Sequence, residues 1–196
     1  MGPGGKMIWA FILGFGAARA GSLPSLTVRV YNYAGVPPST LEDAEVFAAR
    51  SFRAAGIDLI WVECATSEDD SGRFRACEQA DRSRRVFLKI IPERMAAGIP
   101  YARQSEDALG IAIVSHAFVL CERVQRVASE WGIPEYMILG RTMAHELGHL
   151  LLGGNSHTAR GLMRSRFDVR DLTLESAQFL FDPKQAMRLR EIVTSR

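Results

Sequence analysis

The sequence predicts a single domain of mixed α/β (α+β) class, in which helices cover a twisted mixed sheet. Three observations predict it. Short segments with alternating or β-branched apolar residues interchange with segments of helical periodicity. The composition, 47% hydrophobic and 23% charged over 196 residues, suits one apolar core. No internal repeat or low-complexity linker divides the chain, and a formal net charge of +2 with scattered arginines argues against a nucleic-acid partner.

The order of the predicted elements indicates how the sheet is built. Five strands are predicted at residues 26–33, 57–63, 85–91, 109–114 and 117–120. A helix is predicted from Leu41 to about Ala55, where Gly56 ends it, and a shorter one ends at Trp131. The succession of strand, helix, strand, loop and strand favours a mixed sheet backed by a helix. The last helix is predicted to follow Asp182 as N-cap and to reach about Val193.

The segment 136–152 is predicted to be one apolar helix, and it carries the HExxH pattern of zinc hydrolases as His145, Glu146 and His149. Residues four apart lie on one helix face about 6 Å from each other, so both imidazoles can reach one metal ion. Glu146 lies roughly 100° around the helix from His145, where it can hold a water molecule without being a ligand. With one more protein ligand, a tetrahedral zinc would keep an open position, as catalytic sites do.

A third ligand is expected soon after the helix stops at Gly153 and Gly154. His157 is preferred over Asn155, because a neutral imidazole binds zinc well and a side-chain amide binds it poorly. Two carboxylates from later in the chain, Glu175 and Asp168, remain as alternatives.

The run from His145 to His157, followed by Met163, resembles the metzincin clan of zinc peptidases and most nearly its matrixin-like group. The family pattern is HExxHxxGxxH, followed by a tight turn that carries a methionine. The family has its glycine at the position of Leu152 and its third histidine at that of Asn155, so the loop of this chain is two residues longer. The paired glycines can turn the longer loop back. The resemblance covers about nineteen residues.

The resemblance implies a zincin-like, metzincin-like fold: a twisted mixed sheet with a backing helix, an active-site helix and a small C-terminal helical part. It also implies Zn²⁺ as cofactor, Met163 in the turn beneath the metal, and an edge strand, best represented by residues 109–114, that pairs with an extended polypeptide substrate. His116, just beyond that strand, is interpreted as a loop or capping histidine rather than a fourth ligand.

The expected activity is that of a zinc metallopeptidase, an endopeptidase that hydrolyses peptide bonds. His145, His149 and His157 would hold the metal, which activates a water molecule, and Glu146 would act as the general base and then protonate the leaving amine. Two other interpretations of the function stay open. One is a catalytically inactive secreted domain of the same fold that binds zinc or a protein partner. The other is a zinc hydrolase acting on a non-peptide amide.

The N-terminus and the cysteines predict export. Lys6, the apolar residues 7–17 and the sequence Ala18-Arg19-Ala20 are typical of a signal peptide over residues 1–20, with cleavage after Ala20. The catalytic domain would then span residues 21–196, secreted or periplasmic and without stable membrane association. An uncleaved membrane anchor is the alternative.

Cys64 and Cys77 flank a polar loop, and an oxidising compartment would join them in a disulfide that leaves Cys121 free. The alternative is three reduced thiols.

Overall fold

The computed structural model describes residues 22–67, 74, 77, 85–99, 102, 107–166 and 179–195. Within these residues, the predicted mixed α/β architecture is confirmed. The strands are β1 Ser25–Asn32, β2 Asp58–Cys64, β3 Arg85–Ile91, β4 Gly110–Ile113 and β5 His116–Leu120. The helices are α1 Pro38–Ala54, α2 Glu93–Ala96, α3 Cys121–Trp131, α4 Glu135–Leu152 and α5 Pro183–Ser195.

The five strands form one sheet in the order β2-β1-β3-β5-β4. The first four are parallel, and β4 runs antiparallel to β5. The predicted strand at 109–114 is therefore an edge strand, as expected. The hairpin between β4 and β5 turns at Val114 and Ser115, so His116 is the first residue of β5 and pairs in register with Phe87.

One face of the sheet carries the apolar core. Alternate residues of the central strands, among them Val28, Val30, Leu88 and Ile90, are almost completely inaccessible to solvent. The period-two pattern of these side chains is what a half-buried strand requires. Helix α4 packs against this face, where it contacts β4 and β5, and it also contacts α1.

Helices α1 and α4 approach each other closely at Gly140. A Cβ atom there would overlap the carbonyl oxygen of Ala44 and would lie 3.0 Å from the Cβ of Phe47. The absence of a side chain therefore allows the two backbones to touch. This contact fixes how closely the HExxH helix approaches α1.

The helix ends follow the local signals in the sequence. Gly56, with φ of 80°, follows the end of α1, and Gly153, with φ of 95°, ends α4. Asp182 Oδ1 accepts a hydrogen bond of 2.9 Å from Lys184 N at the start of α5, as the capping prediction requires. The short helix α2, one turn after Pro92, was not predicted because a four-residue segment carries no periodicity.

Two further features fix the chain around the sheet. Cys64 and Cys77 form the predicted disulfide, with Cα atoms 5.2 Å apart, and Cys121 is a buried free thiol. The buried Arg123 donates to Glu93, at 2.7 Å, and to the carbonyl oxygen of Ala108, at 3.0 Å. This second bond holds the segment that leads into β4.

Among the described helices, none combines the length and the apolar character that a bilayer crossing requires. Residues 1–20 lie outside the described part of the chain. The signal peptide and its cleavage after Ala20 therefore stay predictions.

Candidate metal centre

Three histidines converge on one point at the C-terminal end of α4. The Nε2 atom of His149 lies 3.0 Å from that of His145 and 3.0 Å from that of His157. Two nitrogen ligands of a tetrahedral zinc ion would be separated by about 3.3 Å, given metal–nitrogen distances near 2.0–2.1 Å. A single hydrogen on His149 Nε2 can be donated to only one of these two neighbouring nitrogens. Nitrogen lone pairs therefore converge on one point, as the ligand atoms of a metal site do.

His145 is the most buried of the three and its ring orientation is fixed. Its Nδ1 donates a hydrogen bond of 2.8 Å to the carbonyl oxygen of Leu162, which leaves a lone pair on Nε2. The pKa of His145 is lowered to about 3, chiefly by burial; the bond to Leu162 opposes this shift, and the nearby imidazoles and Arg141 contribute to it. The ring is therefore neutral at pH 7, the form in which histidine binds metals.

His149 is oriented by the loop that follows α4. Its Nδ1 lies 3.0 Å from the hydroxyl oxygen of Ser156 and 3.4 Å from the carbonyl oxygen of Gly153. Burial is the main cause that lowers the pKa of His149, and the neighbouring His157 contributes. With Nδ1 protonated and hydrogen-bonded, Nε2 offers its lone pair to the shared point.

His157 reaches the same point from outside the helix. It lies on the exposed segment that follows Gly153 and Gly154, so the two glycines do turn the longer loop back towards α4. The three candidate ligand atoms all lie within 4.8 Å of one another. The alternatives Glu175 and Asp168 lie outside the described residues.

Met163 lies in a tight turn over residues 161–164, in which Arg164 N donates to Gly161 O at 3.4 Å. Its side chain is fully buried against α4. A Cβ atom at Gly148 would lie 2.6 Å from Met163 Sδ and 3.0 Å from the ring of Phe181. The glycine between Glu146 and His149 therefore lets the methionine and the phenylalanine pack directly against the helix backbone.

Glu146 points towards the edge strand. A Cβ atom at Gly110 of β4 would lie 2.6 Å from Cγ of Glu146 and 2.8 Å from its Oε1. Burial raises the pKa of Glu146 to about 8. The group is therefore a stronger base than an exposed carboxylate, and it is mostly protonated at pH 7 unless a nearby cation lowers its pKa. The carboxylate is thus placed beside both the histidine helix and the strand that borders it.

His116 is not part of this cluster. Its ring stacks on Phe87 with centroids 4.8 Å apart, and Ser115 Oγ lies 3.2 Å from its Nδ1. His116 is a strand residue of β5, so its interpretation as a loop or capping histidine was wrong. The reason is that the hairpin turns one residue earlier than the sequence suggested.

Sequence reasoning missed three residues that shape the site. Gly110 interrupts a strand pattern, and such a glycine is a known sign of close approach, so that signal was present. Ser156 contacts His149 across the turn that follows α4. Gln185 contacts Ser156 through long-range packing, for which the sequence offers no local pattern.

Comparison with known proteins identifies the fold class. The chain is similar to the crystal structure of a zinc-dependent peptidase from Methanocorpusculum labreanum, with a TM-score of 0.56 and 14% sequence identity, over 83% of this chain and 99% of that chain. No protein-family profile and no curated protein sequence matches it significantly. The chain therefore has the fold of a zinc peptidase, with three clustered histidines on and beside its HExxH helix.

Proposed function

We propose that this chain is a secreted or periplasmic zinc-dependent endopeptidase of metzincin type, with His145, His149 and His157 as zinc ligands and Glu146 as general base. The observation that carries the proposal is the convergence of three imidazole Nε2 atoms, with two neighbouring pairs at 3.0 Å, beside a buried carboxylate. A structural zinc site would use four protein ligands, whereas three leave a position for a reactant.

The donor set fits zinc. Neutral imidazoles bind Zn²⁺ well, and two of the three have their other ring nitrogen hydrogen-bonded to an oxygen atom, as metal-bound histidines ordinarily do. When bound, a zinc ion would polarise the scissile carbonyl group and lower the pKa of a water molecule.

The chain's own residues would perform the proton transfers. Glu146 would accept the proton of the attacking water at its carboxylate and then donate that proton to the nitrogen of the leaving amine. Glu146 lies next to Gly110, so this carboxylate faces the edge strand β4. Among the described residues, β4 pairs only with β5. An extended polypeptide that added to the other edge of β4 would place its carbonyl groups near both Glu146 and the histidines.

Export is part of the proposal. The disulfide between Cys64 and Cys77 supports it, because such bonds persist in oxidising compartments and are rare in the cytosol. N-terminal sequencing of the exported protein tests it. A mature chain that begins at Gly21 is expected, and one that begins at Met1 would refute cleavage of the predicted signal peptide.

Glu146→Gln is the test of the enzymatic step. The variant should bind zinc as wild type does and should lose peptidase activity on an unstructured protein substrate, because the amide cannot take up the proton. Glu135→Gln is the matched control: it makes the same chemical change in the first turn of the same helix, about 16 Å away along the axis. It should retain full activity.

The same pair of variants separates the rival functions. If wild type and Glu146→Gln are equally inert on protein substrates while zinc still binds, the chain is a zinc-binding interaction domain or acts on another amide. Metal analysis of His157→Ala tests the third ligand. Zinc content should fall, and an unchanged content would remove His157 from the site.

A further inference from the structure

The loop that carries His157 has little structure of its own. It begins with Gly153 and Gly154, and its residues from 153 to 155 are exposed. Glycine has the largest conformational freedom of any residue, so ordering such a loop costs more entropy than ordering an ordinary one. A ligand on this loop reaches the metal position reliably only if some other contact holds the loop against the domain.

One side chain of the C-terminal helix makes that contact. Gln185 Nε2 donates a hydrogen bond of 2.7 Å to the carbonyl oxygen of Ser156, the residue immediately before His157. Gln185 Oε1 accepts a hydrogen bond of 3.2 Å from Asp182 N. The two bonds use opposite ends of one amide, so together they fix its orientation. The amide therefore joins the first turn of α5 to the loop.

The contact between Gln185 and Ser156 affects two of the three candidate ligands. Because Ser156 directly precedes His157, holding its backbone fixes where the backbone of His157 begins. Ser156 also places its hydroxyl oxygen 3.0 Å from His149 Nδ1. The residue after His157 is held separately, by a bond of 2.8 Å from Thr158 N to Met163 O. His157 thus lies between two anchored residues, and Gln185 provides the anchor on its N-terminal side.

We infer that Gln185 is a positioning residue for the metal centre, which holds the lengthened loop so that His157 and His149 both face the metal. The inference rests on the proposed function and deepens it. It explains how His157 can reach the metal position although its loop is two residues longer than in the metzincin pattern. The side chain of Gln185, from the last helix, holds the longer loop in place.

The test is the zinc affinity of metal-free protein, measured by competition with a chromophoric chelator. Gln185→Glu is nearly isosteric and retains an acceptor for Asp182 N, but it cannot donate to Ser156. Zinc should bind about 10- to 100-fold more weakly, the range typical of lost partners of metal ligands. Gln125→Glu is the matched control: it makes the same charge change on α3, at an exposed side chain that contacts Glu135. Its zinc affinity should be that of wild type.

Two further measurements separate positioning from general destabilisation. Thermal unfolding of the metal-free variants shows whether the fold is intact, and Gln185→Met, which retains length without a donor, replaces Gln185→Glu if that variant does not fold. The Co²⁺ absorption spectrum reports coordination directly. Gln185→Glu should shift it towards the spectrum of His157→Ala.

A double-mutant cycle gives the decisive outcome. In the His157→Ala background, Gln185→Glu should weaken zinc binding much less than it does in wild type, because only its effect on His149 through Ser156 remains. An equal effect in both backgrounds, or no effect in either, overturns the inference while the proposed function stands. If wild type itself binds no zinc, the proposed function and this inference fall together.

Discussion

The candidate metal centre is formed by two different regions of the chain, a buried helix and an exposed loop. His145, Glu146 and His149 lie on α4, a largely buried helix that packs against both α1 and the sheet. His157 lies on an exposed loop that begins with two glycines. In the first region the backbone hydrogen bonds of the helix fix the geometry. In the second region the geometry depends on a few contacts with distant parts of the chain.

The difference shows which parts of such a site can vary. The helix fixes the separation of His145 and His149 by its own pitch, so any insertion there would destroy the pair. The loop is free to change length, provided that a neighbouring element holds it. The two residues by which it exceeds the metzincin pattern are accommodated in this way. We expect substitutions in the helical region to act mainly on stability and catalysis, and those in the loop to act mainly on metal binding.

Gly140→Ala tests the buried region and should have the largest effect on stability. Alanine normally stabilises a helix relative to glycine by up to about 1 kcal/mol. Here its methyl group would meet the backbone of α1 at Ala44. We expect a loss of about 3 kcal/mol in the free energy of unfolding, measured by urea denaturation, because overpacking at a rigid contact is costly. A gain in stability would show that the two helices are not in contact.

Gly110→Ala tests the boundary between the buried helix and the edge strand. The new methyl group would overlap the Glu146 side chain, which can move aside but then leaves its position. We expect kcat/KM to fall about 10- to 100-fold, since displacement of a catalytic group by about 1 Å can cost that much. Zinc affinity should be unchanged. Full activity would mean that Glu146 does not act from this position.

The same contrast explains how much of the molecule the sequence could predict. The strands, the long helices and the pair of histidines were predictable because they depend on local periodicity and spacing. The disulfide between Cys64 and Cys77 was predictable because the intervening loop is short. The contact between Gln185 and Ser156 was not, because it joins residues 29 positions apart and depends on where α5 packs. His157 could be chosen as the third ligand from its spacing after the paired glycines, and the structure places it with His145 and His149.

Glu45 of α1 provides a pH-dependent test of the buried region. Burial raises its pKa to about 7, with repulsion from Glu63 and Glu42 contributing. Among the described residues, its Oε1 atom has no hydrogen-bond partner. A carboxyl group whose pKa is raised on folding stabilises the protein fully below its unfolded pKa of 4.5, and this contribution is lost as pH rises towards about 7.

Glu45→Gln should therefore be more stable than wild type at pH 8, by about 1–2 kcal/mol after allowance for solvent screening. At pH 4 the two proteins should be nearly equal. Urea denaturation of both at a series of pH values from 4 to 8 measures the difference. A difference that does not change with pH would show that folding leaves the pKa of Glu45 unchanged.

Gly153→Ala and Gly154→Ala test the loop with two adjacent substitutions. Gly153 has φ of 95° and ψ of 163°, a conformation that is essentially restricted to glycine, so alanine should cost about 1–3 kcal/mol or force the loop into another path. Gly154 has an ordinary φ and an open surrounding. Alanine there should change stability by less than about 1 kcal/mol, with a gain favoured because the unfolded chain loses freedom.

The zinc affinity of both metal-free variants shows whether His157 depends on the turn at Gly153 or on the general flexibility of the loop. It should fall with Gly153→Ala and stay at the wild-type value with Gly154→Ala. Equal losses in both would mean that the flexibility of the loop, rather than the one turn at Gly153, brings His157 to the metal.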